Sequence, residues 1–267
     1  MIIAGKKVAK PWGVDKLPYP FIGQEDGERV GEIWFEPNPT LNQLLVKYIF
    51  TSQALSVQVH PSDAQTLAKG LGSQGKEECW LILDAQPDAK LGIGFIEEIG
   101  PDKMRSAAQD GSIEHLLAWR SVQAGDFIYI PANTVHAIGA GISLIEVQQN
   151  SDITYRLYDY GRPRELHLED AVAIAIGKSH NPQLRRQLRR SGHQALVDGP
   201  LFRLDRLDGA VDATVRARYR GPLLVIPQNG AVQVSGEPIL AGQCALAENI
   251  DSIELKDGVQ ALVTQSV

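Results

Sequence analysis

The chain has 267 residues, 43% of them hydrophobic and 22% charged, with a formal net charge of -6, which is enough for one large β domain or two smaller ones with a real core. That charge gives no basic field for nucleic acid, so a small anionic ligand needs a local cationic patch. No apolar run approaches the roughly 20 residues of a membrane span, the opening MIIAGKKVAKPWG lacks the apolar core and cleavage site of a signal peptide, and the two cysteines, Cys79 and Cys244, read as reduced thiols of a cytoplasmic protein.

Short runs rich in Val, Ile and Tyr, punctuated by 25 Gly and 15 Pro, predict a mainly β chain. Strands are expected over 31–37, 42–50, 56–60, 78–85, 89–95, 126–131 and 142–149, a spacing that suits a sandwich or a small barrel. The stretch 102–120 is helical in composition, with Ile113, Leu116, Leu117 and Trp119 near helical spacing, and 168–177 predicts a helix with acidic residues in its first turn. Residues 178–200 are basic and polar and are assigned as a linker, with RRQLRR at 185–190 read as its solvated part rather than an anion patch. Short β runs return over 201–267, so the expected division is a domain over 1–177, the linker over 178–200 and a smaller β domain over 201–267. That tail contains no histidine.

In LSVQVHP (55–61) strand alternation puts Leu55, Val57 and Val59 on one face and Ser56, Gln58 and His60 on the other. His60, Glu78 of GKEECW and His136 of GDFIYIPANTVHAIG lie on or beside three separate predicted strands, each near a turn. Two imidazoles and a carboxylate suit Zn²⁺ or another divalent first-row metal, and Gln58, on the face of His60, offers an amide oxygen as a fourth ligand. Glu77 adjoins Glu78 but points the opposite way, and Cys79 reads as a core thiol. Lys76, beside the strand of Glu78, and Lys47, in LLVKYIF, have two open readings: snorkelling surface lysines, or groups that hold a phosphate. Glu146 in SLIEVQQ is either an outward-facing strand residue or a group that orients a metal ligand or moves a proton. His115, His180 and His193 lie in predicted helix or linker and lack metal spacing, and His167 is read as seating the helix that follows it.

The stretch GDFIYIPANTVHAI resembles the second motif of the cupin superfamily. Gly125, Pro131 and His136 match it, and Asn133 stands where Gly is usual, a tolerable exchange because Asn also accepts a left-handed backbone. Taken in order, LSVQVHP, GKEECW, GDFIYIPANTVHAI and IEVQQNSDITYRLYDYGR resemble the type I mannose-6-phosphate isomerases in their short bacterial form, most strongly over residues 10–175. The resemblance implies a jelly-roll-like cupin barrel with small helical segments, followed by a smaller cupin-like β domain. It implies one zinc per chain held by Gln58, His60, Glu78 and His136, with the polar face of Ser56, Gln58 and His60 lining the inside of the barrel. It makes Arg156, in SDITYR, an active-site arginine, and puts Ser56, Lys47, Lys76 and Arg156 against a small sugar phosphate. The implied reaction interconverts mannose 6-phosphate and fructose 6-phosphate through a cis-enediol, without nucleic acid or a membrane as partner. Gly75 stands where longer relatives can carry a histidine, so Lys76, Glu146 or a metal-bound water remains for the proton transfer. The alternatives are a cupin oxygenase holding Fe²⁺, which an amide in place of a second clustered imidazole disfavours, and a non-catalytic cupin that binds a sugar phosphate.

Overall fold

The computed structural model describes residues 1–23 and 27–267. Two antiparallel sheets make the N-terminal half. A seven-stranded sheet runs in the order Arg185–Gln187, Asp126–Ile130, Glu78–Ala85, Ile142–Gln149, Leu44–Phe50, Val30–Phe35 and Gly5–Val14. Facing it is a five-stranded sheet, in the order Tyr155–Tyr158, Val57–Val59, His136–Ile138, Lys90–Phe95 and Leu117–Ser121.

Strand alternation divides each sheet between two environments. On Leu44–Phe50, Val46, Tyr48 and Phe50 point outward into an apolar layer shared with Phe202, Leu204, Leu224 and Leu262 of the C-terminal half. Ile49, on the other face, points between the sheets and packs with Trp80, Ile82, Ile93, Ile138 and Leu144. The strand is therefore buried along its whole length, as a strand covered on both faces must be. Val57 and Val59 face away from the sheet-to-sheet space and pack against Met104, Ala107, Ala171 and Val172 of the helices Pro101–Asp110 and Leu168–Ile174. The polar side of the same strand thus looks inward, as the resemblance implied.

The C-terminal half has a six-stranded sheet, Ile2–Ile3, Cys244–Ala247, Leu223–Pro227, Gln260–Ser266, Phe202–Asp208 and Gln194–Asp198, and a three-stranded sheet, Glu237–Leu240, Ala231–Val234 and Ile253–Glu254. The chain is mainly β in both halves, and among the described residues no helix is long and apolar enough to cross a membrane.

The structure departs from the sequence expectations in three places. Helix does not continue over 102–120: it stops at Asp110, where Gly111 takes a left-handed φ of 83°, and after the short turn Ile113–Leu116 the chain becomes the edge strand Leu117–Ser121. Residues 178–200 are not a free linker, because Arg185–Gln187 pairs with Asp126–Ile130 and Gln194–Asp198 pairs with Phe202–Asp208. The expected boundaries also miss that Ile2–Ile3 belongs to the C-terminal sheet, pairing with Cys244 and Ala245. A helix over Asp63–Ala68 follows the Pro-Ser turn, started by a capping box in which Ser62 and Gln65 satisfy one another's backbone donors.

Candidate active site

Three neighbouring positions of the five-stranded sheet carry polar side chains into the space between the sheets. Gln58 is the cross-strand partner of His136 on one side and of Arg156 on the other. From the opposite sheet Glu78, Lys47 and Glu146 face them, Glu146 opposite Lys47 in register. Asn133, in the Pro turn ahead of His136, takes the left-handed conformation expected of the motif, with φ 68°. Its amide donates to the carbonyl of His60 (3.2 Å) and to Gln65 Oε1 (2.7 Å), tying the turn to the residue that follows the strand Val57–Val59 and to the helix Asp63–Ala68.

The two imidazoles are held alike. His60 Nδ1–H donates to the carbonyl of Ile153 at 2.8 Å, and His136 Nδ1–H to that of Thr134 at 2.9 Å. Both Nε2 lone pairs are thereby turned toward Glu78, 3.6 Å from its Oε2 and 3.3 Å from its Oε1 respectively. His60, Glu78 and His136 are all buried, with ligand atoms within 4.8 Å of one another.

Burial sets the protonation of this cluster. It pushes His60 well below its ordinary range, with the Lys76 ammonium adding to the effect, and lowers His136 to about 4 against the donation to Thr134. Burial raises the Glu78 carboxyl to about 7 despite the neighbouring Lys76. Glu78 Oε1 is buried without a hydrogen-bond donor. Two neutral imidazoles and an orphaned buried carboxylate oxygen form a pocket of electron pairs, the donor set that a divalent cation completes.

The other expected residues gather on a cavity beside this cluster, whose volume is about 190 Å³. Lys76 Nζ lies 2.9 Å from Glu78 Oε2 and 3.2 Å from His60 Nε2. Lys47 is ion-paired with Glu146 at 3.2 Å, and Glu146 also accepts from the Trp80 indole at 3.0 Å. Burial on its own would raise the Glu146 carboxyl, but the ammonium groups of Lys47 and Lys76 hold it down at about 2. Ser56 donates to Gln58 Oε1 at 3.0 Å, which leaves the Gln58 amide nitrogen 3.3 Å from His136 Nε2. Arg156 lines the cavity; its Nε is buried without an acceptor, and among the described residues its guanidinium has no ion pair. By contrast Arg164, also on the cavity, is committed to Asp159 through two contacts of 2.6 Å.

Lys47 and Glu146 are therefore inward-facing, not surface residues. Glu77 points away and meets the Tyr129 hydroxyl, and Cys79 is buried in the outer apolar layer. His115 and His193 lie outside the cluster, while His180 is buried, its Nε2–H donating to the carbonyl of Tyr129 at 2.8 Å. His167 Nδ1 accepts from the Arg156 backbone N–H at 3.4 Å, behind the strand that carries that arginine.

The structure adds residues the sequence reading passed over. Lys10, Glu32 and Trp34 close one wall of the cavity. Lys10 Nζ is 3.6 Å from Glu32, and the Lys47 ammonium lies 4.6 Å above the Trp34 ring, a cation–π contact that fixes the lysine from a second side. Alternation in VGEIWF put Glu32 and Trp34 on one face, but nothing local told which face was inward.

No family model matches the chain. It is 39% identical over 232 residues to the mannose-6-phosphate isomerase ManA of Bacillus subtilis, covering 80% of this chain and 73% of that protein. It is 31% identical over 244 residues to the mannose-6-phosphate isomerase of Streptococcus mutans, covering 88% and 72%. Among solved structures, the mannose 6-phosphate isomerase from Bacillus subtilis superposes with a TM-score of 0.79 at 23% identity, over 99% of this chain and 98% of that one. A zinc-bound mannose 6-phosphate isomerase gives 0.72 at 13% identity, over 99% and 98%.

Proposed function

Because the chain belongs to the mannose-6-phosphate isomerase family, with its cupin fold, we propose that it interconverts mannose 6-phosphate and fructose 6-phosphate in the cytoplasm. The observation that carries this reading is a juxtaposition at one cavity: Gln58 and Lys76 of its lining touch the His60, Glu78 and His136 cluster, and on its wall stands the Arg156 guanidinium, without an ion pair among the described residues. A metal-ligand set beside a free cation suits a substrate whose reacting oxygens and negative charge belong to one small molecule. A net charge of -6 makes such a local cation necessary.

The residues fit zinc, which the related zinc-bound structure holds. His60, Glu78 and His136 are the protein ligands. Gln58 joins them through its amide oxygen, after a half-turn of the amide that exchanges its oxygen and nitrogen. When bound, zinc supplies a Lewis acid that polarises the sugar's oxygens. Arg156 binds the negative charge, its planar fork matched to a phosphate or an enediolate. Lys47, pinned by Glu146 and Trp34, offers a second fixed ammonium. Lys76 Nζ, at the cavity floor beside the ligand set, carries the proton between C2 and C1 from its neutral amine form, which first gives a proton to solvent because Glu78 and Glu146 favour the ammonium, and Glu146 keeps Lys47 in place. Ser56 orients Gln58. The C-terminal half, without a histidine, serves as the structural cover of the seven-stranded sheet.

Purified protein assayed with mannose 6-phosphate, with metal analysis on the same sample, tests the reading. Turnover with about one zinc per chain supports it. A zinc-loaded protein that binds the sugar phosphate without isomerising it overturns it in favour of a binding role. Proton transfer is assigned by following solvent deuterium into C2: Lys76→Ala abolishes exchange and Glu146→Gln only slows it, and the reverse pattern exchanges the two roles.

A further inference from the structure

A second cavity, of about 260 Å³, opens where the two sheets of the N-terminal half part at one edge. It shares no lining residue with the active-site cavity. Its rims are the outermost strands of the two sheets, Leu117–Ser121 and Arg185–Gln187. Arg120 stands opposite Leu91 in register on one rim, and Arg185 opposite Ile128 on the other. Leu91, Ile93 and Ile128 form an apolar floor.

Neither guanidinium has a partner. Among the described residues Arg120 and Arg185 make no ion pair and no side-chain hydrogen bond, and Arg185 Nε is buried without an acceptor. Arg186, the next residue, shows the contrast, since it donates to the carbonyl of Leu196 and lies 5.4 Å over the Phe127 ring. Asp126 is the one carboxylate on the lining, and its Oδ2 accepts from the Gln123 backbone N–H at 2.9 Å. Burial, and then the charge of Arg120, hold Arg185 below its ordinary range, and both arginines act on the buried His180. Two like charges across an apolar floor repel, and an anion between them turns that repulsion into two charge-assisted contacts.

We propose that this seam is a second ligand site, for a small organic anion whose phosphate or carboxylate head sits between Arg120 and Arg185 and whose apolar or planar body covers Leu91, Ile93 and Ile128. The RRQLRR run, read from sequence as solvated, supplies one of the two cations. The site lies one strand from the metal-ligand set, because Ile93 is the cross-strand partner of His136.

The test is calorimetric titration of the zinc-loaded protein, its active site saturated with fructose 6-phosphate, using phenyl phosphate, benzoate and inorganic phosphate as probes. The expected result is saturable binding of phenyl phosphate or benzoate at one site per chain. Inorganic phosphate binds about tenfold more weakly for want of apolar burial. The tighter of the two aromatic probes tells whether the head is a phosphate or a carboxylate. Arg120→Gln with Arg185→Gln weakens binding by about tenfold or more, Arg185→Lys recovers part of it, and Arg156→Ala leaves it unchanged. Unchanged isomerase turnover in the Arg120→Gln, Arg185→Gln variant shows that it is folded. Absence of saturable binding by all three probes, or equal binding by that variant and the parent, overturns the proposal.

Discussion

Between the sheets of the N-terminal half lie Lys47, His60, Lys76, Glu78, His136 and Glu146, all buried, whereas the interior of the C-terminal half is made of Leu207, Leu223, Val225, Val232, Ile239 and Val263. Both halves are built from alternating antiparallel strands, so strand pattern alone does not decide which kind of interior results. The difference lies in what satisfies the buried groups. In the first half the ionised side chains are matched with one another, Lys47 with Glu146 and Lys76 with Glu78, and the remaining electron pairs are left for a cation. In the second, the buried Asp205 is paired with Arg218 at 2.9 Å, the buried Thr264 and Gln265 donate to backbone carbonyls, and the cluster around Leu207, Leu223 and Val263 is hydrocarbon. A cavity that must hold chemistry gives up part of its hydrophobic stabilisation. The shared apolar layer, in which Phe202, Leu204 and Leu262 cover Val46, Tyr48 and Phe50, makes up for it from outside.

The largest effect separating the two interiors is expected from His60→Ala or His136→Ala. Each removes a ligand atom from the cluster, so zinc content and turnover should fall together to background. Full metal occupancy in both variants would mean that the electron pairs of this interior serve something else.

Truncation after Gly177 comes next. It uncovers the outward faces of Val46, Tyr48, Phe50, Cys79 and Leu81, and the shortened chain should be insoluble or lack cooperative unfolding by circular dichroism. A soluble, active fragment would show that the first half needs no cover.

Arg156→Ala touches the chemistry without touching the ligands. Turnover should drop by on the order of a hundredfold, as on removal of one preorganised charge-stabilising donor, with zinc content and melting temperature as in the parent. Arg156→Lys should recover only part, since an ammonium restores charge but not the fork. In the other half, Leu223→Ala should do the converse, lowering unfolding free energy by about 2–5 kcal/mol in urea titrations while kcat at 25 °C stays unchanged.

The smallest effect is a pH slope. In the metal-free protein His136 titrates at about 4, against 6.5 when unfolded, so unfolding takes up a proton between those values and acidification through them costs up to about 3 kcal/mol of stability. Glu78, at about 7 against 4.5, opposes this. Its folded form holds the proton that the unfolded form releases, so acidification from pH 7 to 4.5 adds a similar amount. The two nearly cancel, and His60, also held down, leaves a net loss on acidification. Metal-free Glu78→Gln should therefore lose more stability than the parent between pH 6.5 and 4.5, by about 3 kcal/mol in paired urea titrations. Leu223→Ala should keep the parent's slope, because nothing in its surroundings titrates there.

The inward residues were legible where alternation and motif order agreed. Ser56, Gln58 and His60 share a strand face, and His136 follows a Pro turn whose geometry Asn133 supplies. Lys47 and Glu146 stayed ambiguous in sequence because both faces of their strands are buried, which removes the polar-outside signal that usually orients a strand. Lys10 and Trp34 were hidden because alternation puts side chains on two faces without telling which face is inward. The edge strands Leu117–Ser121 and Arg185–Gln187 were misread for a related reason. Their residues suit a helix and a solvated run, and only pairing with Lys90–Phe95 and Asp126–Ile130 makes them strands. The helix Asp63–Ala68, however, had its start signal in view, since Ser62 and Gln65 stand at capping-box spacing.

The pairing of Ile2–Ile3 with Cys244 and Ala245 has a consequence for how the polypeptide is made. Its partner strand leaves the ribosome after some 240 further residues, roughly ten seconds to a minute later at ordinary rates of translation. Until then the first strand has no edge to join. The N-terminal half can assemble its own two sheets during synthesis, but the C-terminal sheet closes only once the last strands have emerged. This loop is therefore sealed only after Ala245 has emerged, and a nascent chain stalled before residue 244 should expose Ile2 and Ile3 to any chaperone that reads short apolar segments.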